Sequence, residues 1–417
     1  MPYGRTSGLE EDGSFIIGSK PQRVRKRKSA PNPFYYWTLY LPLAMISRRK
    51  KTVKIVRPPE GKIQGPALVL ANHLSFWDFS LVSQALSRNR LTVISNRYYF
   101  REKQLKTLLR HLKAIPKTIL HADFETVKKT FQAIQEKRVV LMFPEGRLST
   151  DGTNLPVASG IGALIKKLNV PLVFVELSGG YLAEPKWAKG PRRGKVEVEV
   201  KKTVKPEAYA ALSPAELEAF VAENIRHDEY EFAARRHLRY HAKDFAVGLE
   251  GILYLCPSCG KEHVLKTEGD AIFCAACGFR AVLGPDYRFS SPLPALLTIR
   301  DWNRLQIAHE ERKIAEGNLA MEILVRVKKM DMADPKNDVK GEGTVTLDLS
   351  GYGFSGTLAG LPEQFFLPRE TLEGIPFSAG EEFEFYHDGH LYYFYPVDHP
   401  EICAQVSLLA DLLFRTR

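Results

Sequence analysis

A chain of 417 residues predicts two or three domains, and a 44% share of hydrophobic residues supplies real cores, which excludes a coreless chain. A net charge of +11 and a pI near 9.2 favour anionic partners: lipid headgroups, CoA phosphates, an acidic carrier protein or nucleic acid. Residues 1–33 read as a disordered basic tail, with Gly, Ser and Pro frequent, apolar periodicity absent, and Arg23, Arg25, Lys26, Arg27 and Lys28 in one block. No secretory h-region and cleavage site follow in the expected order. Ahead of an aromatic segment such a block suits an anionic membrane surface, at about 1 kcal/mol per charge. Residues 34–46 are the most apolar run. Thirteen helical residues reach about 20 Å against a hydrocarbon core of roughly 30 Å, and Pro42 interrupts them, so the run is expected to lie in the interface and not to cross it. A core helix under the adjoining sheet is the alternative.

The apolar run 66–71 has the composition of an interior strand. It empties into Asn72, His73, Leu74, Ser75, Phe76, Trp77 and Asp78, and a helix is expected over 76–86. Two side chains five apart in one helix point about 140° away from each other. A working His73/Asp78 pair therefore requires His73 in a non-helical lead-in, Ser75 as cap, and Asp78 in the first turn near the positive end of the helix dipole. Asp78 would then fix the imidazole tautomer and leave the other nitrogen free as a base. This is two thirds of a hydrolase triad without the protein nucleophile, so the substrate must bring its own hydroxyl.

Further on, 91–95 reads as a strand, 101–112 as a basic amphipathic helix and 124–136 as another helix. A second buried strand, 139–143, runs into Pro144, Glu145, Gly146, Arg147, Leu148 and Ser149. Gly146 permits close backbone approach to a ligand, Arg147 offers a planar fork for phosphate, and Ser149 adds a donor.

Asn72-His73-x4-Asp78 followed by Phe143-Pro144-Glu145-Gly146-Arg147-x-Ser149 resembles the glycerol-phosphate acyltransferase superfamily, which includes the 1-acylglycerol-3-phosphate acyltransferases. The resemblance covers residues 34–205. It implies transfer of a fatty acyl group from acyl-CoA or acyl-carrier protein to the free hydroxyl of a lysophospholipid, with 1-acylglycerol-3-phosphate going to phosphatidate. By position, His73 is the general base and Asp78 its orienting partner, while Ser75, Lys117, Glu145, Gly146, Arg147 and Ser149 form the acceptor-binding set. A backbone N–H near Gly146 is the candidate oxyanion donor. Lys117 stands where the family has an arginine, and the strand from Val170-Pro171 lacks the family's second proline. The Gly146-Arg147-Leu148-Ser149 form is closer to some lysophosphatidylethanolamine acyltransferases, so that acceptor, another lysophospholipid, or a non-catalytic adaptor on the same scaffold are the alternatives.

The α/β alternation continues with a helix at 160–168, a strand at 171–177 and an alternating segment at 194–200, expected as a half-exposed edge strand. Residues 206–250 are expected to be a mostly helical connector, with His227, His237 and His241 on its surface. Two C-x2-C knuckles, Cys256/Cys259 and Cys274/Cys277, are separated by fourteen residues and mark a ribbon over 251–283 with a structural zinc ion. His263 is a bystander. A helical linker over 284–320 leads to short alternating segments over 321–417, closed by a helix holding Cys403. That last region resembles a pleckstrin-homology or GRAM-like barrel. The whole reads as an α/β acyltransferase domain with a mixed sheet and helices on both faces, then a zinc ribbon, then a β-rich domain. It is placed as a peripheral enzyme on the cytoplasmic, inner face of a membrane with anionic lipids, with an acyl-carrier protein as a further partner; the ribbon, neither strongly basic nor aromatic, disfavours nucleic acid.

Overall fold

The computed structural model describes residues 30–46, 48, 51–57, 61–119, 123–332 and 334–416; the basic block at 23–28 lies outside them. Seven strands form the first sheet: β1 (Lys51–Val56), β2 (Ala67–Ala71), β3 (Thr92–Asn96), β4 (Ile115–Lys117), β5 (Val139–Met142), β6 (Leu172–Ser178) and β7 (Gly194–Val204). Their order is β1-β7-β6-β2-β5-β3-β4, and every pair is parallel except β6 with β7. β2 and β5 bury every residue, as strands covered on both faces must. Alternate residues feed opposite cores. Val69, Ala71 and Leu141 join Leu81, Val82 and Ala85 of α1 (Asp78–Ala85). Leu68, Leu70 and Met142 face Ala133 and Ile134 of α3 (Phe124–Gln135), Ile165 of α4 (Ile161–Leu168) and Leu217 and Val221 of α5 (Pro214–Ile225). Between α1 and α3, α2 (Lys103–His111) lies nearer solvent.

β7 is not the expected edge. β1, which the sequence pattern did not single out, pairs with it in parallel from Gly194 to Glu199. The alternation of Val196, Val198 and Val200 reports which face is buried, whereas an edge is a matter of backbone hydrogen bonds, to which side-chain periodicity is blind.

The aromatic N-terminal segment is helical from Pro33 to Ile46, widening to a π-helix over Tyr36–Tyr40, beside Pro42, whose missing N–H interrupts the ladder. Tyr36 and Tyr40 are buried against Phe79, Leu108 and Leu112, and Tyr40 Oη and Ser83 Oγ share a 2.8 Å hydrogen bond. Phe34, Trp37, Met45 and Ile46 are exposed. The segment thus has one face in the core and an apolar face outside it.

The connector is less helical than expected: after α5 and α6 (Glu229–Arg235) the chain is irregular through 248. There Tyr240 N donates to Pro285 O, and His241 exchanges backbone hydrogen bonds with Arg193, so tertiary partners take the groups a helix would use. His237 and His241 are exposed, but His227 is buried between Glu176 (3.3 Å) and Glu229 (2.7 Å). Burial lowers its pKa and the two carboxylates, outweighing that, raise it to about 9.

Four antiparallel strands, β8 (Leu265–Glu268), β9 (Ala271–Cys274), β10 (Arg280–Leu283) and β11 (Phe289–Ser290), make the ribbon, and α7 (Ile299–Ala315) packs Trp302 against Phe279 and Phe289. The third sheet holds β12 (Ala320–Met330), β13 (Val339–Asp348), β14 (Gly351–Leu358), β15 (Leu361–Pro368), β16 (Phe377–Ser378), β17 (Glu382–His387) and β18 (His390–Pro396), all antiparallel, in the order β15-β14-β13-β12-β18-β17-β16. α8 (Ile402–Arg415) closes it with Cys403, Val406, Leu409 and Leu413 inward. Buried residues of all three sheets belong to one continuous hydrophobic cluster.

Candidate active site and metal centre

β2 ends at Ala71, and the chain turns sharply before α1. Asn72 fixes that turn: its amide donates to Leu177 O and accepts from Leu177 N, both at 2.8 Å, clamping the end of β2 to β6. His73 follows outside the helix, and Asp78 occupies the first turn of α1. His73 Nδ1 lies 3.0 Å from Asp78 Oδ2, which also accepts Leu74 N at 2.5 Å and Ser75 N at 2.8 Å. A fully buried carboxylate with this many donors, at a helix N-terminus, is held as an acceptor. The His73 ring stacks on Phe143 with centroids 4.1 Å apart, and its side chain keeps 20% exposure. Nε2 has no protein partner among the described residues, so it is free to take a proton.

Ser75 does not cap the helix through its side chain; its hydroxyl donates to Asp78 Oδ1 at 2.7 Å, and Trp77 holds the cap position. The second block folds back onto the first. Glu145 Oε1 accepts His73 N at 2.9 Å and Asn154 Nδ2 at 3.2 Å, and Oε2 accepts Leu155 N at 2.6 Å. The acceptor contact expected of Glu145 is thus replaced by an internal brace, and burial pushes its carboxyl up to about 7 against the pull of those donors. Ser149 is equally inward: its N–H donates to His73 O, its hydroxyl donates to Thr153 O, and Gly152 N donates to it. Gly146 adopts φ +73°, which only glycine tolerates cheaply, but its N–H donates to Phe143 O and is not an oxyanion donor here.

Arg147 reaches away from His73 into the C-terminal lobe. Its guanidinium donates to Asp411 of α8, to Ser407 Oγ at 2.8 Å and to Ile375 O at 3.4 Å. Both ion-pair partners are about nine-tenths buried, so the charge expected on phosphate is neutralised within the chain. Lys117, at the end of β4, has no hydrogen bond or ion pair among the described residues, and burial lowers its pKa. Asp411, Ser407 and Asn154 carry no motif of their own, and nothing in the sequence marked them.

In the ribbon, Cys256 Sγ lies 3.8 Å from Cys277 Sγ, Cys259 Sγ lies 3.9 Å from Cys274 Sγ, and all four sulfurs are within 4.8 Å of one another. A tetrahedral zinc thiolate shell with bonds of about 2.3 Å has edges of about 3.8 Å, so the sulfurs fit that ion. Gly260 and Gly278, at φ +70° and +76°, close matching knuckles by donating to Cys256 O and Cys274 O. His263 is not among the ligands; its Nε2 lies 2.8 Å from Gln405 Oε1 of α8.

Comparison with known proteins bears on both centres. Residues 48–178 match the family model described as Acyltransferase, and residues 249–284 match a zinc-ribbon model described as DNA directed RNA polymerase, 7 kDa subunit. The chain is similar to proteins named 1-acyl-sn-glycerol-3-phosphate acyltransferase from Limnanthes douglasii (32% identity, 31% of this chain, 48% of that protein) and Cocos nucifera (28% identity, 30% and 41%). The matched part thus spans less than half the length of these relatives. A solved structure, the 1-acyl-sn-glycerophosphate (LPA) acyltransferase PlsC from Thermotoga maritima, aligns with a TM-score of 0.39 at 22% identity over 45% of this chain and 76% of that one. The His73/Asp78 turn and the Glu145 brace both fall inside the matched segment, and this chain therefore carries a domain of the glycerol-phosphate acyltransferase superfamily with a zinc ribbon appended.

Proposed function

We propose that the protein is an O-acyltransferase that moves a fatty acyl group from acyl-CoA or acyl-carrier protein to the free hydroxyl of a lysophospholipid. The observation that carries this reading is the His73–Asp78 pair with Nε2 unpartnered at the end of β2. In the reaction Nε2 takes the proton of the acceptor hydroxyl as its oxygen attacks the thioester carbonyl. Asp78 holds the tautomer and stabilises the imidazolium. Collapse of the tetrahedral intermediate forms the new ester, breaks the C–S bond, and returns the proton to the departing thiolate. The names of the relatives support lysophosphatidate as acceptor and phosphatidate as product. The engagement of Arg147 by Asp411 favours a second reading, an acceptor whose phosphate is esterified to a further group.

Exposed Phe34, Trp37, Met45, Ile46 and Phe76, close to the basic helix α2, support docking on an anionic membrane surface, the inner leaflet in this reading. Among the described residues no helix is long and apolar enough to cross a membrane. The ribbon is read as holding one structural zinc ion in a shell that leaves no site for chemistry. The strand order of the C-terminal sheet, a four-strand meander joined through β12 to the last three strands and closed by α8, supports a pleckstrin-homology or GRAM-like lobe.

The test is transfer of radiolabelled acyl groups from both donor types to lysophosphatidate, lysophosphatidylethanolamine and glycerol 3-phosphate. His73→Ala is expected to lower kcat by about 10²–10⁴ on the productive acceptor, the range for loss of a general base. Wild-type turnover by that variant removes the mechanism.

A further inference from the structure

His227 is a buried charged group for which the proposed reaction has no direct use. Its side chain is 2% exposed and lies between carboxylates of two elements, with Nδ1 3.3 Å from Glu176 Oε1 of β6 and Nε2 2.7 Å from Glu229 Oε1 of α6. Its other neighbours leave the charge in place. Lys201 of β7 takes the second Glu176 oxygen at 3.1 Å, Asp228 pairs with Arg300 of α7, and the Phe232 ring packs at 6.0 Å. Burial disfavours the imidazolium, but the two carboxylates outweigh it and hold the proton up to about 9, while the hydrogen bond from His227 draws Glu176 down to about 2. A buried ion cluster adds little net stability. Its effect lies in what it holds in place.

The cluster reaches the His73/Asp78 turn by two arms. Glu229 Oε1 also accepts Gly179 N at 2.6 Å, and Oε2 accepts Leu182 N at 3.3 Å, which fixes the turn leaving β6. That turn lies directly against the pair: a Cβ on Gly180 would stand 3.3 Å from Leu74 Cβ and 3.5 Å from Asp78 Oδ1. In the second arm the His227 backbone N–H donates to Asn154 Oδ1, and Asn154 Nδ2 donates to Ile225 O and to Glu145 Oε1, each at 3.2 Å. Glu145 Oε1 in turn accepts His73 N at 2.9 Å. One arm ends on Asp78 and the other on His73, and both start at one residue whose ring is gripped on its two nitrogens.

We propose that His227 is a positioning residue for the His73/Asp78 turn, its imidazolium clamping Glu229 and the Asn154 loop so that His73 Nδ1 stays on Asp78 and Nε2 stays open to the acceptor hydroxyl. This rests on the acyltransferase reading and deepens it. The clamp needs the charged ring, because a neutral imidazole has one donor for two carboxylates and leaves them to repel each other across it. His227 keeps its proton through neutrality and gives it up as the pH rises through about 9, so the clamp is whole below that value and lost above it.

The experiment follows the histidine Cε1–H resonances of the full chain from neutrality into the alkaline range, assigned with His227→Gln and His73→Gln, alongside kcat and KM with lysophosphatidate and lysophosphatidylethanolamine as acceptors. The His73 resonance is expected to move in step with the titration of His227 near pH 9, and kcat to fall through the same step at constant KM. Glu176→Gln removes one carboxylate and keeps its shape, and should bring both steps down by about 1–3 pH units. Asn154→Ala cuts the arm to Glu145 and should lower kcat by up to about 10²-fold at unchanged KM, the scale of a misplaced reacting group. A His73 resonance that does not follow His227, or a kcat step that stays put in Glu176→Gln, overturns the proposal and leaves His227 as an ion pair of the fold alone. Absence of transfer to either acceptor sinks the acyltransferase reading, while the coupling of the two resonances still decides the clamp.

Discussion

Glu145 is the residue whose role changes most between sequence and structure. As a motif acid it reads as a ligand contact, but its two oxygens hold the backbone of His73 and the loop at 154–155. The His73 imidazole is thus positioned from both sides: Asp78 aims the ring and Glu145 pins the main chain behind it. Because burial holds the Glu145 carboxyl up at about 7, above its ordinary 4.5, its ionisation costs the fold nothing below pH 4.5 and a rising amount up to pH 7. That cost is about 3 kcal/mol once it is fully charged. Glu145→Gln cannot ionise, so the stability of wild type relative to the variant should fall by this amount between pH 4.5 and 7 in urea titrations at each pH. A difference that stays flat across the window shows that Glu145 does not titrate there.

Among the elements, α8 does more than close a sheet. Asp411 and Ser407 on one of its faces take the Arg147 guanidinium, and Gln405 donates to Glu262 of the ribbon and Glu310 of α7. Its inward face, meanwhile, fills the C-terminal core. Arg147 therefore serves as a tie between the loop after β5 and α8. Cutting the tie at one end strands a buried charge, which is worse than removing both ends. Asp411→Ala and Arg147→Ala should each destabilise, and the double variant should recover a coupling of about 2 kcal/mol in a double-mutant cycle by urea unfolding. Zero coupling would mean that the pair contributes nothing to holding α8. His227 shows the same limit of local reading: a histidine in a polar connector looks solvated until β6 and α6 bring Glu176 and Glu229 to its two nitrogens.

At the scale of the molecule, the zinc ribbon is wedged between lobes whose buried residues form one cluster, with Leu265, Ile272 and Ala281 continuous with Val69 of the first sheet and Phe394 of the third. Metal binding is folding free energy in such a site. One zinc per chain is expected by atomic emission, and stripping it with a chelator should lower the melting temperature of the whole chain in a single transition and abolish acyl transfer. Unchanged melting after complete removal of metal would show that the four cysteines do not staple the fold. Were only the ribbon to melt, the lobes would be energetically separate despite their shared core.

The sequence by itself determined what is local. Buried strands at 67–71 and 139–142, the five-residue offset that puts His73 ahead of a helix and Asp78 in its first turn, and the paired knuckles all follow from periodicity, capping chemistry and spacing. Tertiary structure decided which charge meets which. Arg147 and Asp411 are 264 residues apart in the chain. A sequence states how many protons a side chain can give or accept, but the counterpart is chosen by chain closure. Closure is driven by apolar burial that is indifferent to charge, so the hydrogen-bond partners of the site were settled only when the three sheets packed into one core.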